Sequence, residues 1–261
     1  MKVRAPAKVN LVLRVGPLRS DGYHRVSTLF QAVDLFDELE LEPAAETVVE
    51  GFADDTLVRA ALDALGETQR VRIVKRIPVA AGLGGGSSDA GAVLRALAAE
   101  RDPNELHEIA RGIGSDVPFF LSGCETAMGS GRGDRIQALP DFPRDHAFVL
   151  VPHEPGLSTP EVYARVSPNE VFPAVHGELI RRVHTARSPA GVADMVVNEL
   201  QPAVLELRPE LQQVIDEVRA AGALAAAVTG SGPTVFGVFP DRTAADEAAA
   251  KIPGGIAVSP L

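Results

Sequence analysis

The chain has 261 residues, 46% of them hydrophobic and 24 of them glycine, with a formal net charge of −10. That length supplies an ample apolar core for one large or two small domains, and the acidic balance excludes a broad basic surface for nucleic acid. A single cysteine, Cys124, excludes an intrachain disulfide or thiolate metal cluster and is expected as a small buried hydrophobe.

The first forty residues read as strands. Val9, Leu11, Leu13 and Val15 alternate, Glu38 to Glu42 alternates strictly, and Pro17 to Tyr23, carrying Asp21-Gly22, is a turn-rich loop between them. The basic residues Lys2, Arg4 and Lys8 precede an apolar stretch broken by Asn10 and Arg14, too polar for a signal peptide. No segment has the length of a membrane span, so a cytoplasmic protein without membrane partners is expected. Leu57 to Leu65 reads as a helix and Val71 to Val74 as a strand. Helices are expected at about Ser87–Glu100 and Asn104–Gly112, then Gly114-Ser115-Asp116-Val117-Pro118 interrupts the pattern.

Pro140 to Arg144 is the expected boundary between an N-terminal domain (1–142) and a C-terminal one (143–261). A strand at His146–Val151 opens the second half. Helices follow near Pro160–Val166, Val175–His184, Leu200–Leu207 and Pro209–Ala221. Strands Ala225–Thr229 and Val235–Phe239 flank Gly230-Ser231-Gly232-Pro233, and a helix at about Thr243–Ile252 precedes a short last strand. No repeat is evident, and the mixed order gives α+β in both halves.

The richest segment runs from Pro78 to Ala90, a glycine turn between a strand and a helix. Such a turn gathers backbone N–H groups around an anion, most often phosphate, and its glycines admit close approach and positive φ. Ser87 or Ser88 is expected to cap the helix, with Asp89 favoured by its dipole. The Walker pattern fails because no lysine precedes Ser87 or Ser88, and the dinucleotide pattern fails because Ser87 stands where its last glycine belongs.

Three separated segments share the character of ligand-binding backbone: Pro6 to Asn10, the glycine turn, and Val228 to Pro233. In this order and spacing they resemble the signature motifs of the GHMP kinase superfamily over nearly the whole chain. Ala5 to Leu11, Asp21-Gly22-Tyr23-His24, Thr28 to Gln31 and Gly114 to Phe119 narrow the resemblance to the branch that phosphorylates a cytidine-diphosphate-linked methylerythritol. Two departures stand out: Asp134 ends a Gly131-Arg132-Gly133 segment where that branch has glutamate, and Thr56 stands where asparagine is expected.

The resemblance implies a GHMP fold of two α+β domains, the second ferredoxin-like, with the active site between them. It implies ATP, with Mg²⁺ to neutralise the triphosphate, and transfer of the γ-phosphoryl group to a hydroxyl on a tertiary carbon in isoprenoid precursor synthesis. Asp116 is then the proton acceptor, although a turn role is natural to Ser-Asp before Val-Pro. Lys8 would orient it and balance charge. Pro78, Ala80, Gly82, Leu83, Gly84, Gly85, Gly86, Ser87 and Ser88 would hold ATP, with no metal ligand assigned.

Asn10, on the strand face of Lys8, would meet the acceptor hydroxyl. Tyr23 and Tyr163 would sandwich cytosine with His24 at its edge, backed by Phe30, and Thr159 would contact the substrate. The remaining histidines show no metal-ligand spacing. Homoserine or mevalonate kinases share the superfamily but take acceptors with no base to stack, and a silent nucleotide-binding protein would be expected to lack Lys8 or Asp116. The expected partner is thus a small molecule, with no nucleic acid, and the chain is a monomer or homodimer.

Overall fold

The computed structural model describes residues 1–52, 56–98, 100–167 and 172–261. Its spine is a long antiparallel hairpin of β1 (Lys2–Leu18) and β2 (His24–Pro43), paired from Lys2 opposite Glu40 to Leu18 opposite His24 with register shifts at Pro6/Ala7 and Val15/Leu18. The register also shifts between Asn10 and Val12, a bulge that changes which residues share a face. At the tip the Arg19 N–H donates to the Tyr23 carbonyl at 2.7 Å.

Because β2 is long, two strands pair along one edge: β4 (Gln69–Val74) at residues 38–43 and β5 (Thr126–Ser130) at residues 28–31. With β3 (Val48–Glu50) on β4, β6 (Arg135–Ala138) on β5 and β8 (Val197–Asn198) parallel to β1, they complete the first sheet. Helices α1 (Leu57–Leu65), α2 (Gly85–Leu97), α3 (Pro103–Ile113) and α4 (Val117–Ser122) belong to this half. In α1 the buried Val58, Ala61, Leu62 and Leu65 form the expected apolar stripe, and Gly66 ends it at a φ of 69°. That stripe joins Leu39, Leu41 and Val71 of the sheet and Val93 and Leu94 of α2 in one core.

The second sheet is antiparallel, ordered β11 (Ile256–Val258), β7 (Ala147–Val151), β10 (Val235–Phe239), β9 (Ala225–Val228). In chain order that is fourth, first, third, second, the ferredoxin-like arrangement. Helices α5 (Thr159–Tyr163), α6 (Phe172–Thr185), α7 (Pro189–Ala193), α8 (Gln201–Leu207) and α9 (Leu211–Ala220) lie between its first two strands, and α10 (Arg242–Ala249) between the last two. Val149, Val151 and Val235 of this sheet share a core with Leu13, Val15 and Val26 of the first. The halves are further joined by β8 and by a bridge between Val33 and Pro260.

One local expectation is corrected. Helix α2 starts at Gly85, capped by Gly84 at a φ of 73° with no side-chain capping bond, so Ser87 and Ser88 lie inside its first turn. A left-handed glycine can make the strand-to-helix corner that no serine makes at low cost. Cys124 is half-buried rather than buried.

Candidate active site

Strand periodicity puts Lys8 and Asn10 on one face of β1, where the Lys8 Nζ donates to Asn10 Oδ1 at 2.5 Å. It also donates to the Gly82 carbonyl at 2.8 Å and stands 3.5 Å from Asp116 Oδ2. Lys8 is 3% exposed, whereas the Asp116 side chain is 31% exposed. Burial holds the Lys8 ammonium below its ordinary pKa, and the Asp116 carboxylate opposes that shift. Asp116 opens α4 without a side-chain capping bond, so its carboxylate is left to face Lys8.

Asn10 is fixed on every side. Its Nδ2 donates to Thr28 Oγ1 at 2.8 Å, Thr28 donates to the Val12 carbonyl at 2.7 Å, and the Asn10 N–H donates to Thr229 Oγ1 at 2.9 Å. The turn after β9 closes the same space. A Cβ on Gly230, at a φ of 57°, would stand 3.2 Å from Lys8 Nζ and 3.3 Å from Asn10 Oδ1. Asn198 of β8 holds that turn by donating to the Val228 and Gly230 carbonyls, each at 2.8 Å.

The glycine turn lies against this group. Ala80, Gly82 and Gly84 all have positive φ, and the Leu83 carbonyl accepts the Lys8 N–H at 3.0 Å. The first intrahelical bond runs from Ser88 N–H to the Gly84 carbonyl, so the preceding N–H groups at the start of α2 have no helical acceptor. With no capping side chain either, this end of α2 has the geometry to cradle an anion. Ser88 Oγ is buried without a hydrogen-bond partner.

The approach to the turn is anchored by a buried charge network. Asp37 Oδ1 accepts the N–H groups of Arg76 and Ile77 at 2.6 and 2.9 Å. Lys75 Nζ bridges Asp37 at 2.5 Å and Asp89 at 2.8 Å. Burial disfavours the Lys75 ammonium, but Asp89 and Asp37 outweigh it and raise its pKa. Asp89 therefore serves an ion pair with Lys75, and the expectation of a simple dipole partner is corrected.

Of the residues expected around the base, His24 and Tyr163 are in direct contact. The Tyr163 ring stacks on His24 with centroids 5.8 Å apart, and His24 Nδ1 lies 2.9 Å from the Gly16 carbonyl. Burial, with a contribution from the Asp116 carboxylate, pushes the Tyr163 hydroxyl pKa up. Tyr23 is 49% exposed and lies under the Arg132 guanidinium, 4.9 Å from its ring centre. Among the described residues no ring contact joins the two tyrosines. Phe30 is buried, stacked on Phe119 at 4.8 Å and 6.0 Å from Lys8 Nζ. Thr159 Oγ1 lies 2.8 Å from Ser231 Oγ, joining α5 to the Gly230 turn.

Asn198, Asp37 and Lys75 of this surround escape a sequence reading, and Thr28 and Thr229, which lie within its motifs, are given no individual role there. For Asp37 the detectable signal is a polar residue at a strand position that alternation with Leu39 and Leu41 assigns to the interior, since burial demands a partner for it. Asp134 is 2% exposed, bonded by Arg111 Nε at 2.8 Å and Arg132 Nε at 3.0 Å, so aspartate reaches its partners where glutamate was expected.

Comparison with known proteins follows this geometry. The model for the GHMP kinases N terminal domain matches residues 48–124, and that for GHMP kinases C terminal matches 179–255. The 4-diphosphocytidyl-2-C-methyl-D-erythritol kinase of Thermobifida fusca (strain YX) is 40% identical, with 89% of this chain and 84% of that protein aligned. The protein of the same name from Desulfotalea psychrophila (strain LSv54 / DSM 12343) is also 40% identical, over 92% and 85%. A crystal structure of 4-(cytidine 5'-diphospho)-2C-methyl-D-erythritol kinase superposes with a TM-score of 0.76 at 36% identity, covering 99% of this chain and 98% of that one. Homoserine kinase from Cytophaga hutchinsonii, at 19% identity and a TM-score of 0.72 over 100% of this chain and 94% of that one, shares the fold. Likeness of this extent, in sequence and fold together, makes the chain an enzyme of the GHMP kinases and a member of the 4-diphosphocytidyl-2-C-methyl-D-erythritol kinase family.

Proposed function

We propose that the chain transfers the γ-phosphoryl group of ATP to the 2-hydroxyl of 4-diphosphocytidyl-2-C-methyl-D-erythritol, giving the 2-phosphate and ADP for isoprenoid precursor synthesis. The observation that carries this reading is the contact of one buried ammonium with two partners: Lys8 Nζ reaches the Gly82 carbonyl of the cradle and the Asp116 carboxylate. Phosphoryl transfer is mostly positioning and charge stabilisation, and this contact joins both tasks.

In this reading the turn from Pro78 to Ser88, with Ala80 and Gly82 through Ser87, holds the triphosphate on the N–H groups that open α2. Asp116 takes the proton of the acceptor hydroxyl as its oxygen bonds to phosphorus and the bond to ADP breaks. Lys8 keeps Asp116 ionised, and approaching phosphates favour its own charged form against burial. Asn10, held by Thr28 and Thr229, presents its polar edge to the acceptor.

Tyr163 and His24 form the inner platform for cytosine, Tyr23 the outer one, Phe30 the back wall, and Thr159 a contact beside Ser231. Mg²⁺ fits as an ion carried by the nucleotide. No group of three or more His, Cys, Asp or Glu that could hold a metal occurs among the described residues, whereas Mg²⁺ with nucleotides needs only one or two protein ligands. The unpartnered Ser88 Oγ is the residue oxygen suited to it, and the ion would neutralise phosphate charge.

We assign the cradle and the two catalytic residues to a domain of residues 1–142 and the second sheet to 143–261. The expected location is cytoplasmic. No helix among the described residues is long and apolar enough to cross a membrane.

The test is ADP release with the diphosphocytidyl acceptor, homoserine and mevalonate in parallel. Turnover with the first alone supports the assignment; turnover only with either of the others overturns it. Asp116→Asn should lower kcat by roughly 10²–10⁴-fold with ATP binding retained, and wild-type turnover in that variant removes Asp116 from the chemistry.

A further inference from the structure

Beyond the kinase site, an open cavity of about 280 Å³ lies near the tip of the β1–β2 hairpin. Arg19, Arg25, Ser130, Arg135, Phe172 and His176 line it. In a chain of net charge −10, three guanidinium groups around one hollow are a local reversal of sign. Asp21 is the one carboxylate in ion-pair contact with these arginines among the described residues, and it pairs with Arg19. Arg25 is exposed, and neither it nor Arg135 has an ion-pair partner among those residues.

Strand register puts Arg25 and Arg135 on the sheet face away from the kinase site, while Val26, which also lines the cavity, belongs to the other face. His24, Val26, Thr28 and Phe30 alternate onto the face of β2 that carries the Tyr163 stack and the Thr28–Asn10 bond. Arg25 and Ser27 alternate onto the opposite face, where Ser27 Oγ lies 2.7 Å from His176 Nδ1. On β5 and β6 the register continues the same row: Gly129 opposes Thr28, and Ser130 opposes Arg135. The start of α6 is packed onto this back face, since a Cβ on Gly16 would meet the Phe172 ring at 2.6 Å. Phe172 and His176 stack 6.4 Å apart, giving the hollow a floor of rings under a rim of arginines.

We propose that this back-face cavity is a second anion site, which binds a small diphosphate through Arg25 and Arg135 with Arg19 and His176 beside them. Its size sits at the low end of ligand pockets, which suits a diphosphate group rather than a whole nucleotide. Planar guanidinium forks favour phosphate oxygens, and a diphosphate spreads its oxygens over a longer span than orthophosphate, so it can meet separated arginines at once.

The test is calorimetric titration of the full chain with pyrophosphate and, separately, orthophosphate. Magnesium is held fixed and the kinase cradle is filled by a non-hydrolysable ATP analogue. A saturable pyrophosphate site that persists under the analogue, is at least tenfold tighter than orthophosphate, and weakens at least tenfold in R25Q/R135Q supports the proposal. That variant should keep kcat and both KM values of the kinase reaction within about twofold, because the two arginines lie across the sheet from Lys8 and Asp116. Titration with CDP, read as the difference between the unaltered chain and R25Q/R135Q so that binding at the kinase base site cancels, distinguishes a free diphosphate from a nucleoside-borne one; tighter arginine-dependent binding of CDP than of pyrophosphate overturns the size argument. Loss of pyrophosphate binding under the analogue, equal affinity for the two phosphates, or no effect of R25Q/R135Q each overturns the site. None of these readouts depends on which acceptor the kinase uses.

Discussion

Gly82→Ala is the sharpest test of how the cradle is held. Gly82 has a φ of +79°, and a Cβ there would sit 2.4 Å from the Thr229 carbonyl and 3.1 Å from both Gly232 N and O. Left-handed backbone costs an alanine about 1–2 kcal/mol. The clash is with backbone, so relief requires the turn to withdraw by about an ångström, since ordinary contact begins at 3.4 Å. That withdrawal strains the charged bond from Lys8 Nζ to the Gly82 carbonyl, worth about 1.5–3 kcal/mol net. The expected total is about 3–5 kcal/mol. Gly22 supplies the control: its φ is +82° and a Cβ there meets nothing within 4 Å, so Gly22→Ala should cost the backbone term alone, about 1–2 kcal/mol. Urea denaturation of both variants isolates the packing contribution if the m-values agree. Activity provides a second reading, because an ångström of misplacement in a reacting pair costs about 10²-fold in rate. Equal stability losses in the two variants, or normal turnover in Gly82→Ala, would refute the claim that the Thr229–Gly232 turn presses the cradle into place.

Three further outcomes are expected. His146 is 3% exposed with both ring nitrogens unpartnered, and burial lowers its pKa to about 4 despite the opposing Asp145. The fold thus holds the neutral ring: its contribution is fully present above pH 6.5 and falls as the pH drops from there towards 4, by about 3 kcal/mol. His146→Leu should flatten that part of the pH–stability curve, and an unchanged slope would count against the assignment. Asp37→Ala should cost about 3–5 kcal/mol in urea titration by leaving Lys75 and the Arg76 and Ile77 N–H groups short of a partner; a loss under 1 kcal/mol would show that Asp89 alone suffices. Tyr163→Ala should raise KM for the cytidyl acceptor with little change in KM for ATP, and an unaltered acceptor KM would remove the ring from the base site.

Periodicity made the two α+β halves legible, as did the punctuation of the glycine turn and the Gly230 turn. The face shared by Lys8 and Asn10 followed from strand alternation, and their bond realises it. The cap of α2 was misread because serine propensity is a local signal, whereas the corner is set by a left-handed glycine packed against Phe120 and Lys8. The β5–β6 hairpin was not anticipated, since Thr126–Ser130 holds only two strong strand formers or large apolar residues, and its pairing depends on the length of β2. Tyr23 and Tyr163 were paired by the resemblance, through Asp21-Gly22-Tyr23-His24 and Thr159 to Tyr163. Which ring stacks on which depends on the hairpin tip and Arg132, and that is tertiary information.

The two-residue strand β8 has a consequence for the order in which the molecule matures. It pairs with β1 from the far half of the chain, and its Asn198 secures the turn that borders Lys8 and Asn10. The bond from Asn10 to Thr229 spans 219 residues, so closing it carries one of the largest loop-closure costs in the fold. During synthesis the glycine turn and α2 emerge early, while the wall opposite them does not exist until more than 140 later residues have been added, from Ser88 to Thr229. The nascent chain therefore displays the glycine turn long before the segment that packs against it exists, and the Lys8–Asn10–Thr229 cluster cannot close until most of the chain has emerged.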